Sequence, residues 1–467
     1  MPKRPVSACA AGLAALVASL SAAPALALQT AAPSALDLAL HGEDPAWSIT
    51  ADLTTEIGPR PAGTEREAAA RRWAVARLKA MGFANVREET YDMRTWVRGE
   101  EKAWLTAPFL PQSLAITALG NSGSTGAAGF EGDVVYFAGF DALQAAPDAA
   151  VKGKIVFIDN QMKPTQDGSG YGYYGRGRFQ GPNVAAKKGA RAIVIRSIGT
   201  DNHRNPHAGV TNFDDGVKPI PAGAISNPDA DLLVGQLRRI ETGAAAPAAL
   251  RMKLLLTPRD LGQQKSGNVI AEVPGSDPHA SPVILACHLD SWDLATGAID
   301  DAAGCGIITA AASHVMAAGQ PRRTIRLLWA GAEEVGAFGG QAYFDAHGKE
   351  RHAVALESDF GADRIWRVDF GLPDSAKPLA DRIAAALAPL GVTRGRDRAG
   401  GGADIGALVA AGVPAIDLQQ DGTRYFDWHH TPDDTLDKVD PVQLRQNVAV
   451  WTATVASLAE SSDTELP

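Results

Sequence analysis

An α/β fold, with a largely parallel mixed sheet covered by helices on both faces and a smaller inserted α/β module, is predicted by three features of the sequence. From Ser266 to the C-terminus, short apolar runs of strand character alternate with helix-length segments, the rhythm of parallel strands joined by crossover helices. Between about Ser113 and Leu261 that rhythm breaks into shorter β-like runs separated by Gly-rich loops, as expected of a small mixed module. Four of five candidate ligand positions directly follow an apolar run, which is where open α/β sheets build their sites. At 467 residues the chain exceeds one typical domain, so two domains are expected.

Taken in order, the chain begins with Lys3 and Arg4, an apolar stretch from about Ala8 to Leu20, and small residues ending at Ala27. This is the order of a secretory signal over residues 1–27, and its apolar run falls short of the ~20 residues of a membrane span. Cleavage near Ala27 would export the protein, to the periplasm or beyond, and take the formal charge from −9 to about −11. With no Lys/Arg cluster, that charge argues against nucleic acid or an anionic membrane as partner. Cys9 precedes the apolar core, so no lipid attachment is expected there. Cys287 and Cys305 alone remain, too few for a disulfide framework; they flank the proposed site and are read as two small buried thiols.

Residues 28–112 open the main domain. Thr64-x-x-Glu67 reads as a capping box, Glu65 to Ala80 as a helix closed by Gly82, and Val86 to Tyr91 as a strand. Residues 113–262 form the predicted insert, with strands at 133–137, 154–158 and 192–195 and a helix near 183–188. Residues 263–467 complete the main domain. Strands are expected at 269–273, 283–287, 324–330, 353–357 and 415–418, and helices near 304–318, 339–346, 376–389, 404–411 and 441–459.

The chemistry lies in that last part. His288 in CHLDS, Asp300 in GAIDDAAG, Glu334 in AEEVGAFGG, Asp359 in ESDFG and His430 in HHTPDD form a His, Asp, Glu, Asp, His set. Two divalent cations need two terminal ligands each and one bridging carboxylate, and this set supplies that number. Mixed imidazole and carboxylate donors suit zinc, so two Zn²⁺ ions per chain are expected. No Gly-x-Ser-x-Gly elbow of a serine hydrolase is present.

The motifs HLDSWD, GAIDD, AEEVGAFG, ESDFG and HHTPDDT resemble the M28 family of dinuclear zinc exopeptidases, and within it a subfamily of secreted dipeptidases. The likeness extends to IGPRPAG at 57–63, WVRGEE at 96–101, AAKKGA at 185–190 and AGVPA at 411–415, and the insert resembles a protease-associated domain. By that resemblance Asp300 bridges the metals, His288 and Asp359 complete one site, and Glu334 and His430 complete the other. His430 is selected over His429 because the family places its ligand before the Thr. Glu333 would be the general base, taking a proton from a metal-bridged water and passing it to the leaving amine. Asp290 would hold the His288 imidazole, Asp301 would stand beside the site, and the Asp300–Asp301 peptide would be cis. The partner implied is a small peptide, and relatives point to a homodimer.

The metal set leaves the direction of cleavage open, since aminopeptidases, dipeptidases and carboxypeptidases share it. Tyr171 to Arg178 (YGYYGRGR) and His203 to His207 (HRNPH) are read as solvated Gly-rich loops. The alternative is that they close over the site and bind a carboxylate, with Tyr174, Arg176 and His207 as candidates. Asp404 in GGGADIG is a candidate for binding a substrate amine or supporting His430. A non-catalytic binding protein on this scaffold is the rival reading, opposed by the complete ligand set.

Overall fold

Three parallel strands, Ile325–Ala330, Val283–His288 and Val354–Glu357, make the centre of the main sheet in a computed structural model that describes residues 1–3, 33–244 and 248–466. The apolar leader and its Ala27 cleavage site lie outside the described residues. Every residue of Val283–His288 is buried, as a strand covered on both faces requires. Val283, Leu285 and Cys287 join one core with Trp329 and the helices Ala303–Ala318 and Pro441–Ala459. Ile284 and Ala286 join the other with Leu328, Tyr343 and Leu408. The period-2 alternation of a strand thus places one helical layer on each face.

Outside the centre the sheet is antiparallel. Arg259–Val273 pairs with Ile325–Ala330 on one side and with Ala84–Val97 on the other, both antiparallel. Ala84–Val97 and Arg259–Val273 are two arms of one long hairpin, and the insert occupies its tip. That topology explains why the parallel expectation holds only for the middle. A bridge from Ala355 to Ala415 continues the sheet to Ile416–Gln420, Ile365–Phe370 and Thr393–Arg394. Pro33 onward forms one compact unit. Among the described residues no helix is long and apolar enough to cross a membrane.

The insert carries its own eight-stranded sheet and begins earlier than expected, at Glu101 instead of about 113. Glu101–Ala107 pairs with Arg251–Leu256, which brings entry and exit together. The YGYYGRGR segment is a helix, Tyr171–Phe179, not a loop. Gly177 serves close packing: a Cβ there would lie 2.7 Å from Asn160 Nδ2. Glycine normally weakens a helix by about 1 kcal/mol, and here that approach outweighs propensity.

The two cysteines are not free thiols. Cys287, at the end of its strand, and Cys305, in the first turn of Ala303–Ala318, have Cα atoms 5.1 Å apart and form a disulfide. The bond staples the strand that ends in His288 to the helix that follows Asp300. With a sequence separation of 18, loop-closure entropy gives it a contribution of about 3 kcal/mol. The Cys287→Ala/Cys305→Ala double variant is expected to lose about that much stability in urea unfolding; an unaltered unfolding free energy would show that the staple adds nothing.

Candidate metal centre

The five proposed ligands converge. His288 ends one central strand, Glu333 and Glu334 follow Ile325–Ala330, and Asp359 follows Val354–Glu357. Asp300 hangs from the turn before helix Ala303–Ala318, and His430 follows the single helical turn Tyr425–Trp428. Asp300 faces two ways. Its Oδ1 lies 2.9 Å from His288 Nε2, which is 3.3 Å from Asp359 Oδ1. Its Oδ2 lies 3.2 Å from His430 Nε2, which is 2.9 Å from Glu334 Oε2. One carboxylate thus separates two trios of donors.

The other imidazole nitrogens are already engaged. His288 Nδ1 lies 3.0 Å from the Asp290 carbonyl and His430 Nδ1 lies 3.2 Å from the Ala208 carbonyl. Both rings donate there, so each Nε2 turns a lone pair toward carboxylate oxygens. Such a contact is favourable only with a proton or a cation between them. Asp300 Oδ2 and Glu334 Oε1 are moreover buried without any hydrogen-bond partner. The donor set and its orphaned oxygens fit two cations. His429 Nε2 stands 3.6 Å from Asp300 Oδ2 but does not reach Glu334, so His430 remains the better ligand.

The outer partners depart from expectation in one respect. Asp290 was expected to hold His288 with its carboxylate, but Asp290 Oδ1 is 3.7 Å from Nδ1 and the main-chain carbonyl accepts instead. The carboxylate accepts the Glu333 N–H at 3.0 Å, so Asp290 steadies both a ligand and the adjacent acid. Asp301 Oδ2 accepts the His288 N–H at 3.2 Å, and the Asp300–Asp301 peptide is cis.

Two positioning groups, Asp434 and Arg60, lie inside motifs that carried the family resemblance but were not singled out as site residues. Asp434 Oδ1 accepts from Ala298 and Ile299 N–H at 2.8 and 2.7 Å, fixing the turn that presents Asp300. Arg60, fully buried, donates to the carbonyls of Leu289, Thr296 and Gly297. Gly297 has φ +60, and a Cβ on it would lie 2.5 Å from Ser291 Cβ, so glycine is required at this turn.

Charge accumulates here. Burial, with Asp359 and Glu334 nearby, pushes Glu333 well above the usual carboxylate range. Burial and Asp300 do the same to Glu334, and burial raises Asp301 and Asp359. Asp300 is the exception: against its burial, the closeness of the His288 and His430 rings holds it well below. The site is short of positive charge, which bound cations would supply.

A cavity of about 330 Å³ opens over these groups, lined by Asp300, Glu333, Glu334, Asp359 and His430 on one side and by Tyr171, Arg178 and Phe179 of the insert on the other. None of the four candidate substrate contacts lines it. Arg176, five residues after Tyr171 and so across the helix, pairs with Asp141 at 3.1 Å and stacks on Tyr173. Tyr174 packs edge-on against Tyr173. Asp404 is 1 % exposed; its carboxyl, raised by burial and then by Glu357 and Glu333, lies behind the base and not beside His430. His207 is buried between Asp201 and His429. The cavity arginine is Arg178, seven residues and two turns after Tyr171, on the same face of the helix.

Comparison with known proteins agrees with this geometry. Residues 268–455, which hold all five proposed ligands, match the family described as Peptidase family M28. Carboxypeptidase Q of Mus musculus is 32 % identical over 441 residues, covering 93 % of this chain and 90 % of that protein. The crystal structure of the Peptidase M28 precursor from Shewanella amazonensis SB2B is 43 % identical, with a TM-score of 0.87 over 92 % of this chain and 96 % of that one. BSAP, a zinc aminopeptidase from Bacillus subtilis, shares the fold at 19 % identity, with a TM-score of 0.64 over 90 % of this chain and 97 % of that one. This chain belongs to peptidase family M28 and is a metallopeptidase.

Proposed function

We propose that the protein is an exported dinuclear zinc exopeptidase that hydrolyses dipeptides, with Glu333 as general base. The observation that carries the reading is Asp300, whose two oxygens each face a separate His and carboxylate pair. His288, Asp300 and Asp359 would hold one zinc, and Glu334, His430 and Asp300 the other. When bound, the two cations supply Lewis acidity, toward a water and toward the scissile carbonyl.

The chain's own residues do the rest. Glu333 lines the same cavity, its main chain held by Asp290, and its carboxylate makes no side-chain hydrogen bond or ion pair among the described residues. Its raised proton affinity suits a group that must accept a proton from water and then deliver it to the leaving nitrogen. Tyr171, Phe179, Phe360 and Phe426 give the cavity apolar walls that exclude bulk water.

Arg178 supports cleavage of short peptides with a free carboxylate. It is 2 % exposed and lines the cavity, yet no carboxylate among the described residues pairs with it. Its Nη2 donates to the Tyr171 hydroxyl and its Nη1 to the Ala208 carbonyl at 3.2 Å, while Nε is buried without an acceptor. A Cβ at Gly209 would lie 2.4 Å from the guanidinium, so glycine there makes its room. A buried guanidinium without a counter-charge is costly unless an anion joins it, and a peptide carboxylate is such an anion. A relative named aminopeptidase, YwaD of Bacillus subtilis, keeps release of N-terminal residues as the competing outcome.

Glu333→Gln is expected to retain both metals and lose about a hundred- to ten-thousand-fold in kcat; turnover near wild type would remove Glu333 from its role. Dialysis against a chelator should abolish activity, and zinc should restore it at two equivalents per chain. C-terminal amidation of a dipeptide should cost wild type about 10- to 100-fold in kcat/KM, and Arg178→Met should lose a similar factor on the free dipeptide and be indifferent to amidation. Equal turnover of free and amidated substrates by wild type would favour an aminopeptidase.

A further inference from the structure

Outside the cavity, the densest unexplained cluster of polar side chains lies where the insert's Gly199–Thr211 loop runs along Phe426–Asp433. Thr200 N–H donates to the Phe426 carbonyl at 3.1 Å and its hydroxyl to Asp427 Oδ1 at 2.7 Å. His203 Nε2 meets the Asp427 carbonyl at 2.7 Å, and His207 Nδ1 meets the His429 carbonyl at 2.6 Å. Ala208 N–H donates to the His430 carbonyl at 2.9 Å, and the Ala208 carbonyl accepts from the His430 ring. Asn205 Nδ2 reaches Asp433 Oδ2 at 3.1 Å. A single helical turn such as Tyr425–Trp428 cannot satisfy its own last carbonyls. The insert satisfies them one after another.

We infer that this loop is a structural part of the metal centre, and that His207 is the positioning residue that holds His430 in ligating orientation. His207 is 1 % exposed, and its two ring nitrogens are both engaged at 2.6 Å, Nδ1 with the His429 carbonyl and Nε2 with Asp201 Oδ2. Asp201 is itself held by Asn227 Nδ2 and by the His203 N–H. The contact is tight: a Cβ on Gly199 would lie 2.1 Å from His207 Nε2. One residue further along, Ala208 grips His430 by main chain and ring together. His430 has φ +60, an uncommon conformation for a non-glycine residue that persists only where its surroundings hold it. Of those surroundings, the insert supplies both main-chain contacts of Ala208.

The consequence is asymmetric. His288 ends a strand of the main sheet and Asp359 closely follows one, whereas His430 depends on the insert. Losing the His207 imidazole strips a donor from the His429 carbonyl and removes the tie between that carbonyl and Asp201. The loop then slackens, and the trio of His430, Glu334 and Asp300 Oδ2 loses its alignment while the other trio stands. Loss of such an outer partner lowers metal affinity about 10- to 100-fold.

This inference rests on the dinuclear reading, and one titration separates the two. Wild type, His207→Ala and Thr200→Val are stripped with chelator and titrated with Zn²⁺ by chelator competition and with Co²⁺ by visible absorption. Two sites are expected in wild type and in Thr200→Val, which loses a bond to Asp427 but keeps both His207 contacts. His207→Ala should keep one site at wild-type affinity and weaken the other about 10- to 100-fold, with a changed Co²⁺ spectrum for that site alone. Two sites of unchanged affinity in folded His207→Ala would overturn the role of His207. Fewer than two sites in wild type would instead overturn the dinuclear reading. Should His207→Ala not fold, His207→Asn, which retains one donor, takes its place with the same expected and overturning results.

Discussion

Asp290, Asp300, Asp301 and Glu334 are buried around His288 and His430, with Glu333 and Asp359 at the edge of the same cavity. Out of water an ionised carboxylate is stable only where positive charge or N–H donors face it. Some of these acids are answered within the chain: Asp290 by the Glu333 amide, Asp301 by the amides of His288 and Gly304. Asp300 and Glu334 retain orphaned oxygens. Those two carboxylates face the two imidazoles, where bound cations would supply the missing positive charge.

The architecture serves to keep that charge in one place. Strand ends deliver His288 and, a few residues later, Glu333, Glu334 and Asp359, so the sheet sets their spacing. The turn bearing Asp300 belongs to no strand and is fixed from outside by Arg60 and Asp434, residues far from it in sequence and close in space. The disulfide from Cys287 to Cys305 ties the strand before that turn to the helix after it. On the far side the insert supplies both the wall that carries Arg178 and the carbonyl that orients His430. A module containing no proposed ligand is therefore joined to the centre by hydrogen bonds and not by the chain alone.

The central strands and flanking helices were legible because burial on two faces demands continuous apolar runs, and Val283–His288 is one. The convergence of the five candidate residues was legible for a related reason: polar residues directly after such runs must lie at the sheet's edge. Less was readable where function rests on pairing across distance. YGYYGRGR has the composition of a loop, and only packing against Asn160 and the cavity wall makes it a helix. That helical period selects Arg178 over Arg176 for the cavity, a choice that a loop reading could not make. The cysteines illustrate the same point, since spacing alone did not bring their Cα atoms within bonding range.

By itself the amino-acid sequence determined the α/β class, the order of strands and helices, and which side chains could ligate metal, because these follow from periodicity and from chemistry local to each motif. Tertiary structure alone decided the partners: that Asp290 serves Glu333 with its carboxylate and His288 with its carbonyl, that Arg60 clamps the Asp300 turn, and that His207 braces a turn instead of touching the cavity. A hydrogen bond depends on two groups meeting within about 3 Å at a permitted angle. Residues two hundred positions apart acquire that relation only when the whole chain has folded.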